Sequence, residues 1–295
     1  MKSTLEQWRM FTAVVEYGSF AKAAEAIHKS QSSINTAVHK LQDSLGVELL
    51  RIEGRRTLLT EAGALLLRRG KLVLEDVQRL EAVAASLAQG EEAVLKVAVD
   101  SIYPGERLYR AFDQLNERFP HLRIELIETI LSGSNELLLA GEVPIAISPN
   151  APPGYPTESL IRLEFVAVAA AVHPLTASAT EISHEDLKAH RQIVCRDSAL
   201  KEKVDSGWLK AEQRWTVSTM DTSIDLIRRS FGYAWLPRHR IAELLDSGQL
   251  RELPLAVGRT RTAELLLVIS DEDKLGPAAR CFVQAIRSFK DKPSK

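Results

Sequence analysis

The chain has 295 residues, with 38 Lys and Arg against 39 Asp and Glu, for a formal net charge of −1. Its 45% hydrophobic and 26% charged residues are the mix of a globular chain of two or three domains, which excludes a disordered or collagen-like one. The longest apolar run, Phe165 to Val172, has eight residues, against the roughly 18–20 that a membrane helix needs.

The first 60 residues read as short helices. Leu5, Trp8, Phe11 and Val15 recur at helical spacing and predict one apolar face. Gly18 ends that helix and Ser19 caps an alanine-rich one over Phe20 to Ile27. Ser30 caps a third, in which Ile34, Val38, Leu41 and Leu45 face inward and Gly46 is the stop. Glu48 to Ile52 and Arg56 to Thr60 flank a turn and predict a small hairpin, or wing. Thr60 then opens a helix to about Gln89, with a two-heptad seam of Val73, Val77, Leu80, Ala84 and Leu87. That seam, preceded by Leu66, packs either on its own chain or on a second copy.

Beyond Gly90, short apolar strands alternate with helices. Strands are expected at Val94–Val99, Arg123–Ile127, Ile145–Ile147, Phe165–Val172, Ile193–Val194, Tyr233–Leu236 and Leu265–Ile269. Helices are expected at Tyr109–Arg118 and at about 184–189, 199–211, 222–230, 238–246 and 277–289. This alternation predicts a mostly parallel sheet flanked by helices, with Ser148 to Pro156 as a crossover between two subdomains.

Charge is uneven along the chain. Residues 1–72 hold 11 Lys and Arg against 7 Asp and Glu, whereas residues 73–295 hold 27 against 32. The basic surplus sits in the first quarter, which also holds the third helix, whose outer face would carry Gln31, Ser32, Asn35, Thr36 and His39. Short polar side chains of this kind can bond base edges in a major groove, and a helix N-terminus attracts phosphate. Arg55 and Arg56 at the wing tip would reach backbone phosphates or a minor groove. The alternative is a solvated polar face.

Leu5 to Gly63 resembles the N-terminal domain of LysR-type transcriptional regulators. The resemblance rests on Phe11, Gly18-Ser19-Phe20 and Ala23-Ala24, then on Ser30-Gln31-Ser32-Ser33-Ile34-Asn35. Leu41, Leu45-Gly46-Val47-Glu48-Leu49, Arg55-Arg56 and Leu59-Thr60-Glu61-Ala62-Gly63 complete it. The family often has Pro-Ala at Ser32-Ser33, Ser at Asn35, and Leu-Phe-x-Arg where this chain has Leu49-Leu50-Arg51-Ile52. Further on, Phe119-Pro120, Leu139 to Ile147, His173-Pro174-Leu175 and Gly232 to Pro237 also resemble it.

The resemblance implies an α/β chain. It has a winged helix-turn-helix over 1–59, a linker and dimerisation helix over 60–92, and a periplasmic-binding-protein-like effector domain over 93–295. Subdomain I spans about 93–162 and 269–295, subdomain II about 163–268, with crossovers near 158–165 and 266–272. It further implies promoter DNA as a partner, contacted by Ser30, Gln31, Ser32, Ser33, Asn35, Thr36, His39, Arg51, Arg55 and Arg56. A homodimer or homotetramer, RNA polymerase and a small-molecule effector are the other partners.

Ligands of open α/β sheets lie beyond the C-terminal strand ends. That rule nominates Ser101 and Ile102, Ile130 to Ser132 (with Leu131), Ser148, Arg196 to Ser198, and Thr219 to Thr222 (with Asp221) for a polar or anionic effector. Ser101 is the first of these contacts. Cys195 and Cys281 have 85 residues between them and read as buried thiols, not a redox pair. The seven histidines show no metal-ligand spacing, and no nucleophile elbow is present, so neither cofactor nor enzymatic activity is expected. The start lacks an apolar segment with a cleavage site, so the expected location is the cytoplasm, off the membrane. The competing reading is a cytoplasmic solute-binding or protein-interaction module that binds no DNA.

Overall fold

The computed structural model describes residues 2–53, 56–88, 90–177, 181–201, 203–204 and 211–289, with the backbone alone of Ile52 and Arg56. The chain divides into two compact units, residues 1–89 and 90–295. None of its described helices is long and apolar enough to cross a membrane.

In the first unit, α1 (Leu5–Tyr17), α2 (Phe20–Ala26) and α3 (Gln31–Leu45) surround one small core. Thr4 and Gln7 form a capping box that starts α1. Ser19 and Ser30 accept from Lys22 and Ser33 backbone N–H groups to start α2 and α3. Gly46 ends α3 in the left-handed region at φ 71°, where a Cβ would be strained. The core comprises Phe11, Val14, Ala23, Ile34, Val38, Leu41 and Leu49. Leu5, Trp8 and Val15 of the predicted α1 face are only partly buried, and Met10 and Ala13 are buried in their place. The helix presents a broader face to α3 than one stripe supplies.

The wing consists of β1 (Leu50–Glu53) and β2 (Arg56–Leu59), paired antiparallel. Helix α4 (Glu61–Ala88) follows, capped by Thr60, whose hydroxyl accepts from Gly63 N at 2.8 Å. At Gly63 a Cβ would collide with the carbonyl oxygen of Leu49, so glycine permits α4 to lie against the strand entry. Leu66, assigned to the dimer seam by sequence, packs instead on the core of this unit. Further along α4, Val77 is partly buried and Ala84 exposed, while Leu72, Val73, Leu80 and Leu87 stand in solvent, Leu80 at 68% exposure.

The second unit is built on one sheet. Its first strands are β3 (Val94–Asp100), β4 (Arg123–Thr129) and β5 (Ile145–Ser148), mutually parallel in the order β4-β3-β5. Helices α5 (Gly105–Arg118) and α6 (Gly133–Leu139) connect them. Two long strands, β6 (Thr157–Ala170) and a later one, continue the sheet. Along the chain α7 (His184–Lys188), β7 (Gln192–Cys195), β8 (Arg214–Val217), α8 (Met220–Arg228) and β9 (Tyr233–Pro237) come next. Then follow α9 (Ala242–Asp246), β10 (Leu250–Glu252), β11 (Thr260–Ile269) and α10 (Pro277–Ser288). The full order is β4-β3-β5-β11-β6-β9-β7-β8, with β10 on β6.

The sheet is mixed, not mostly parallel. β11 runs antiparallel to β5 and β6, and β6 antiparallel to β9 and β10. Parallel pairing is confined to the two ends, where α5, α6 and α8 make the described helical return connections. The crossovers are β6 and β11 themselves. The Pro-rich stretch 148–156 is the loop entering β6, and β11 starts six residues before the expected second crossover. Sequence reading passed over α6, β8 and β10, and the helix expected at 199–211 falls mostly outside the described residues. Pairing between β7 and β9 joins at Gln192 and Tyr233, and Tyr233 donates its hydroxyl to Leu187 O at 3.2 Å.

Candidate DNA-binding face and effector cavity

Helix α3 divides cleanly. Ile34, Val38 and Leu41 are at most 1% exposed, while Gln31, Ser32, Ser33, Asn35, Thr36 and His39 are exposed. Helical periodicity alone produces this split: a residue three or four places from another shares its face. Ser30 is exposed too, but its hydroxyl is engaged with Ser33 in the cap and with the Ser32 hydroxyl. In the wing, Arg51 pairs with Glu53 at 3.3 Å, both well exposed. Arg55 lies outside the described residues; Arg56 occupies β2 opposite Glu53. One residue that sequence reading missed positions the wing. Gln42 of α3 accepts at Oε1 from the backbone N–H groups of Leu49 (2.8 Å) and Leu50 (3.1 Å), tying the strand entry to the helix. Its signal was a polar side chain one position after core Leu41.

A cavity of about 290 Å³ opens in the second unit, where the two ends of the sheet meet the long strands. Ile102, Ile130 and Leu131 come to it from the β3–β4 side. Gln192, Cys195, Met220 and Ser223 come from β7 and α8, and Phe165, Trp235, Leu236, Arg261 and Thr262 from β6, β9 and β11. Of the nominated effector residues, Ile102, Ile130, Leu131 and, within the Thr219 to Thr222 segment, Met220 line it; the rest stand in other roles.

Those other roles are structural. Ser198 Oγ accepts from Ile130 N at 2.9 Å and donates to its carbonyl at 3.1 Å, clasping the β4–α6 turn to the segment after β7. The N–H of Ser132 donates to Asp197 Oδ1 (3.1 Å) in the same clasp. Ser148 Oγ donates to Leu131 O at 3.3 Å, and Arg196 N to Val217 O at 2.9 Å. Thr219 caps α8 through Thr222 N, and Asp221 forms an ion pair with Arg240. Ser101 N donates to Thr129 O at 2.8 Å, while its buried hydroxyl has no partner among the described residues. Gly133 permits the clasp, because a Cβ there would collide with Ser198 Oγ.

The acid of the site is Asp100, which ends β3 and is 2% exposed. Its carboxylate accepts from Ile102 N (3.1 Å) and Leu131 N (2.8 Å). The second bond holds Leu131 at φ 57°, a left-handed conformation costly for a branched residue. Burial pushes the Asp100 carboxyl up to about 7, against the pull of those two bonds, and nearby Asp197 adds to the rise. The Cys195 thiol is half-buried, not fully buried as expected, and burial raises it to about 11. Such a thiol is un-ionised and inert at neutral pH. Cys281 lies on the buried face of α10.

Comparison with known proteins accords with this architecture. Residues 5–64 match the family model described as bacterial regulatory helix-turn-helix protein, lysR family, and residues 88–290 the one described as LysR substrate binding domain. The chain is 31% identical over 257 residues to the uncharacterized HTH-type transcriptional regulator YeeY of Escherichia coli, covering 85% of this chain and 83% of that one. It is 27% identical to the HTH-type transcriptional regulator AceR of Acinetobacter baumannii over the full length of both. The solved structure of CrgA, a LysR-type regulator from Neisseria meningitidis, shares the fold at TM-score 0.52 and 23% identity, covering 98% of this chain and 100% of that one. The chain belongs to the LysR family of bacterial helix-turn-helix transcriptional regulators.

Proposed function

We propose that α3 reads an operator through Gln31, Ser32, Asn35, Thr36 and His39, while Ser30, Ser33, Arg51, Arg55 and Arg56 anchor phosphates, and that occupancy of the 290 Å³ cavity governs regulation. The observation that carries the first half is the division of α3 into a buried apolar face and a wholly exposed polar one. The exposed row of Val73, Leu80 and Leu87 on α4 supports pairing with a second copy, which places two recognition helices on a two-fold operator. The cavity supports the regulatory half, because its walls come from both ends of the sheet and from both long strands. An occupant with different affinity for two arrangements of those parts shifts the balance between them. In this reading the protein is a cytoplasmic regulator without catalytic activity, and its output is contact with RNA polymerase.

The test is fluorescence anisotropy on the DNA upstream of the chain's own coding sequence, across a salt series. Binding should weaken linearly on a log–log plot, with a slope near −0.9 per phosphate neutralised. Failure to bind any such fragment at low salt overturns the DNA-reading half.

A further inference from the structure

Arg261 is the unmatched charge of the cavity. It lies on β11 opposite Phe165 of β6, and its guanidinium carbon is 3.9 Å from the centroid of the Trp235 ring. Trp235 is fixed in turn: its Nε1 donates to Gly258 O at 3.1 Å, and Tyr233 packs edge-on against it. Three other arginines of this half of the unit are paired. Arg238 binds Glu164 and Glu252, Arg259 binds Glu252, and Arg240 binds Asp221. Among the described residues, Arg261 has no carboxylate within ion-pair distance, and its partial burial lowers its affinity for its own proton. Asp100 lines the same cavity but does not neutralise it. That carboxylate is committed to two backbone N–H groups, and the charge it interacts with is Asp197.

We infer that the effector is a small organic monocarboxylate, its anion bound by Arg261 and its apolar body lying against Phe165, Met220 and Leu236. This rests on the reading of the cavity as the effector site. A guanidinium stacked on an indole keeps its N–H fork at the edge of a fixed plane, which suits the planar, bidentate geometry of a carboxylate. A dianion such as a phosphate monoester would set two negative charges against one guanidinium and would share a 290 Å³ space with Asp100. The largely aliphatic and aromatic walls favour an apolar body over a sugar or a polyol.

The experiment uses the full-length protein and measures thermal shift and equilibrium binding. The probes are butyrate, hexanoate, benzoate and phenylpropanoate, each paired with its primary amide, together with phenyl phosphate. At least one carboxylate should stabilise the protein at millimolar concentration while its amide does not. Arg261→Gln should weaken that carboxylate about tenfold or more, about 1.4 kcal/mol, and Arg261→Lys should restore part of the loss. Equal binding of acid and amide, stronger binding of phenyl phosphate, or no carboxylate response overturns the inference without recourse to any variant. Ala263→Phe, which fills the cavity, separates the two claims. If it abolishes carboxylate binding while Arg261→Gln does not, the cavity stands and the role of Arg261 falls. If neither variant changes binding, the cavity reading itself fails.

Discussion

The outer face of α3 and the wall of the cavity are both polar surfaces offered to a ligand, yet they are made in opposite ways. On the outer face of α3, Gln31, Asn35, Thr36 and His39 are exposed and, among the described residues, hold nothing else in place; Ser30, Ser32 and Ser33 bond one another in the cap, and Gln42, off that face, holds the wing. In the cleft, polar groups are consumed by the fold: Ser198, Asp197 and Ser148, all nominated for binding, hold the β4–α6 turn, and Asp100, which was not nominated, fixes the left-handed leucine of that turn. A surface site can therefore change without disturbing its scaffold, whereas the cleft cannot.

The sharpest break between the faces of α3 comes from adjacent residues. Ile34→Ala empties a fully buried position and should destabilise the first unit by about 2–5 kcal/mol, read by urea unfolding. Asn35→Ala, one residue on, should cost under about 0.5 kcal/mol of stability. A comparable stability loss in both would mean that the polar face is packed, and the contrast would collapse.

Next in size is a pH effect confined to the cleft. Asp100 titrates at about 7 in the folded chain, above its ordinary 3.8. Between those values the folded chain holds a proton that the unfolded chain has released. The stabilisation is therefore complete below about pH 4 and is lost as pH rises through 7, at up to about 1.4 kcal/mol per pH unit. The stability difference between wild type and Asp100→Asn should fall over that window and level off above it. A flat difference from pH 4 to 8 would show a solvated carboxylate.

A smaller effect returns to α3 and to DNA. Asn35→Ala should reduce discrimination between operator and competitor DNA by about 1–3 kcal/mol, measured by anisotropy on the two sequences. Equal loss on both would assign Asn35 to the backbone instead of a base.

These cases also show why one site was legible in sequence and the other only in part. The α3 face follows from the spacing of Ile34, Val38 and Leu41, information contained within one element. The cavity joins Asp100, Gln192, Trp235 and Arg261 from four strands far apart in sequence, and only the register of β6 against β9 and β11 brings the last two together. The rule that ligands lie beyond strand ends found Ile102, Ile130, Leu131 and the segment of Met220, but it could not tell a hydroxyl that binds from one that caps. It also missed the long strands, because Phe165 comes from the middle of β6 and Arg261 and Thr262 from the N-terminal end of β11, where the rule does not look. Mixed pairing was hidden for the same reason: local alternation predicts that strands exist, while direction depends on partners elsewhere.

The smallest effect concerns Ser101, the hydroxyl nominated first from sequence. Its backbone continues the sheet by donating to Thr129 O, but its buried Oγ has no partner among the described residues and the residue does not line the cavity. A buried hydroxyl without a hydrogen bond carries a desolvation cost and no compensating gain. Ser101→Ala should therefore leave stability unchanged or raise it by up to about 1 kcal/mol, and it should leave affinity for any cavity ligand within twofold. The same substitution at Ser198 removes both of its bonds to Ile130 and should destabilise the second unit by about 1 kcal/mol or more. If the order is reversed, and Ser101→Ala abolishes ligand binding while Ser198→Ala is silent, then the hydroxyl of Ser101 is held in reserve for the effector. In that case the cleft resembles α3 in keeping free polar groups for a ligand, and the contrast between the two regions fails at the residue where the sequence placed it.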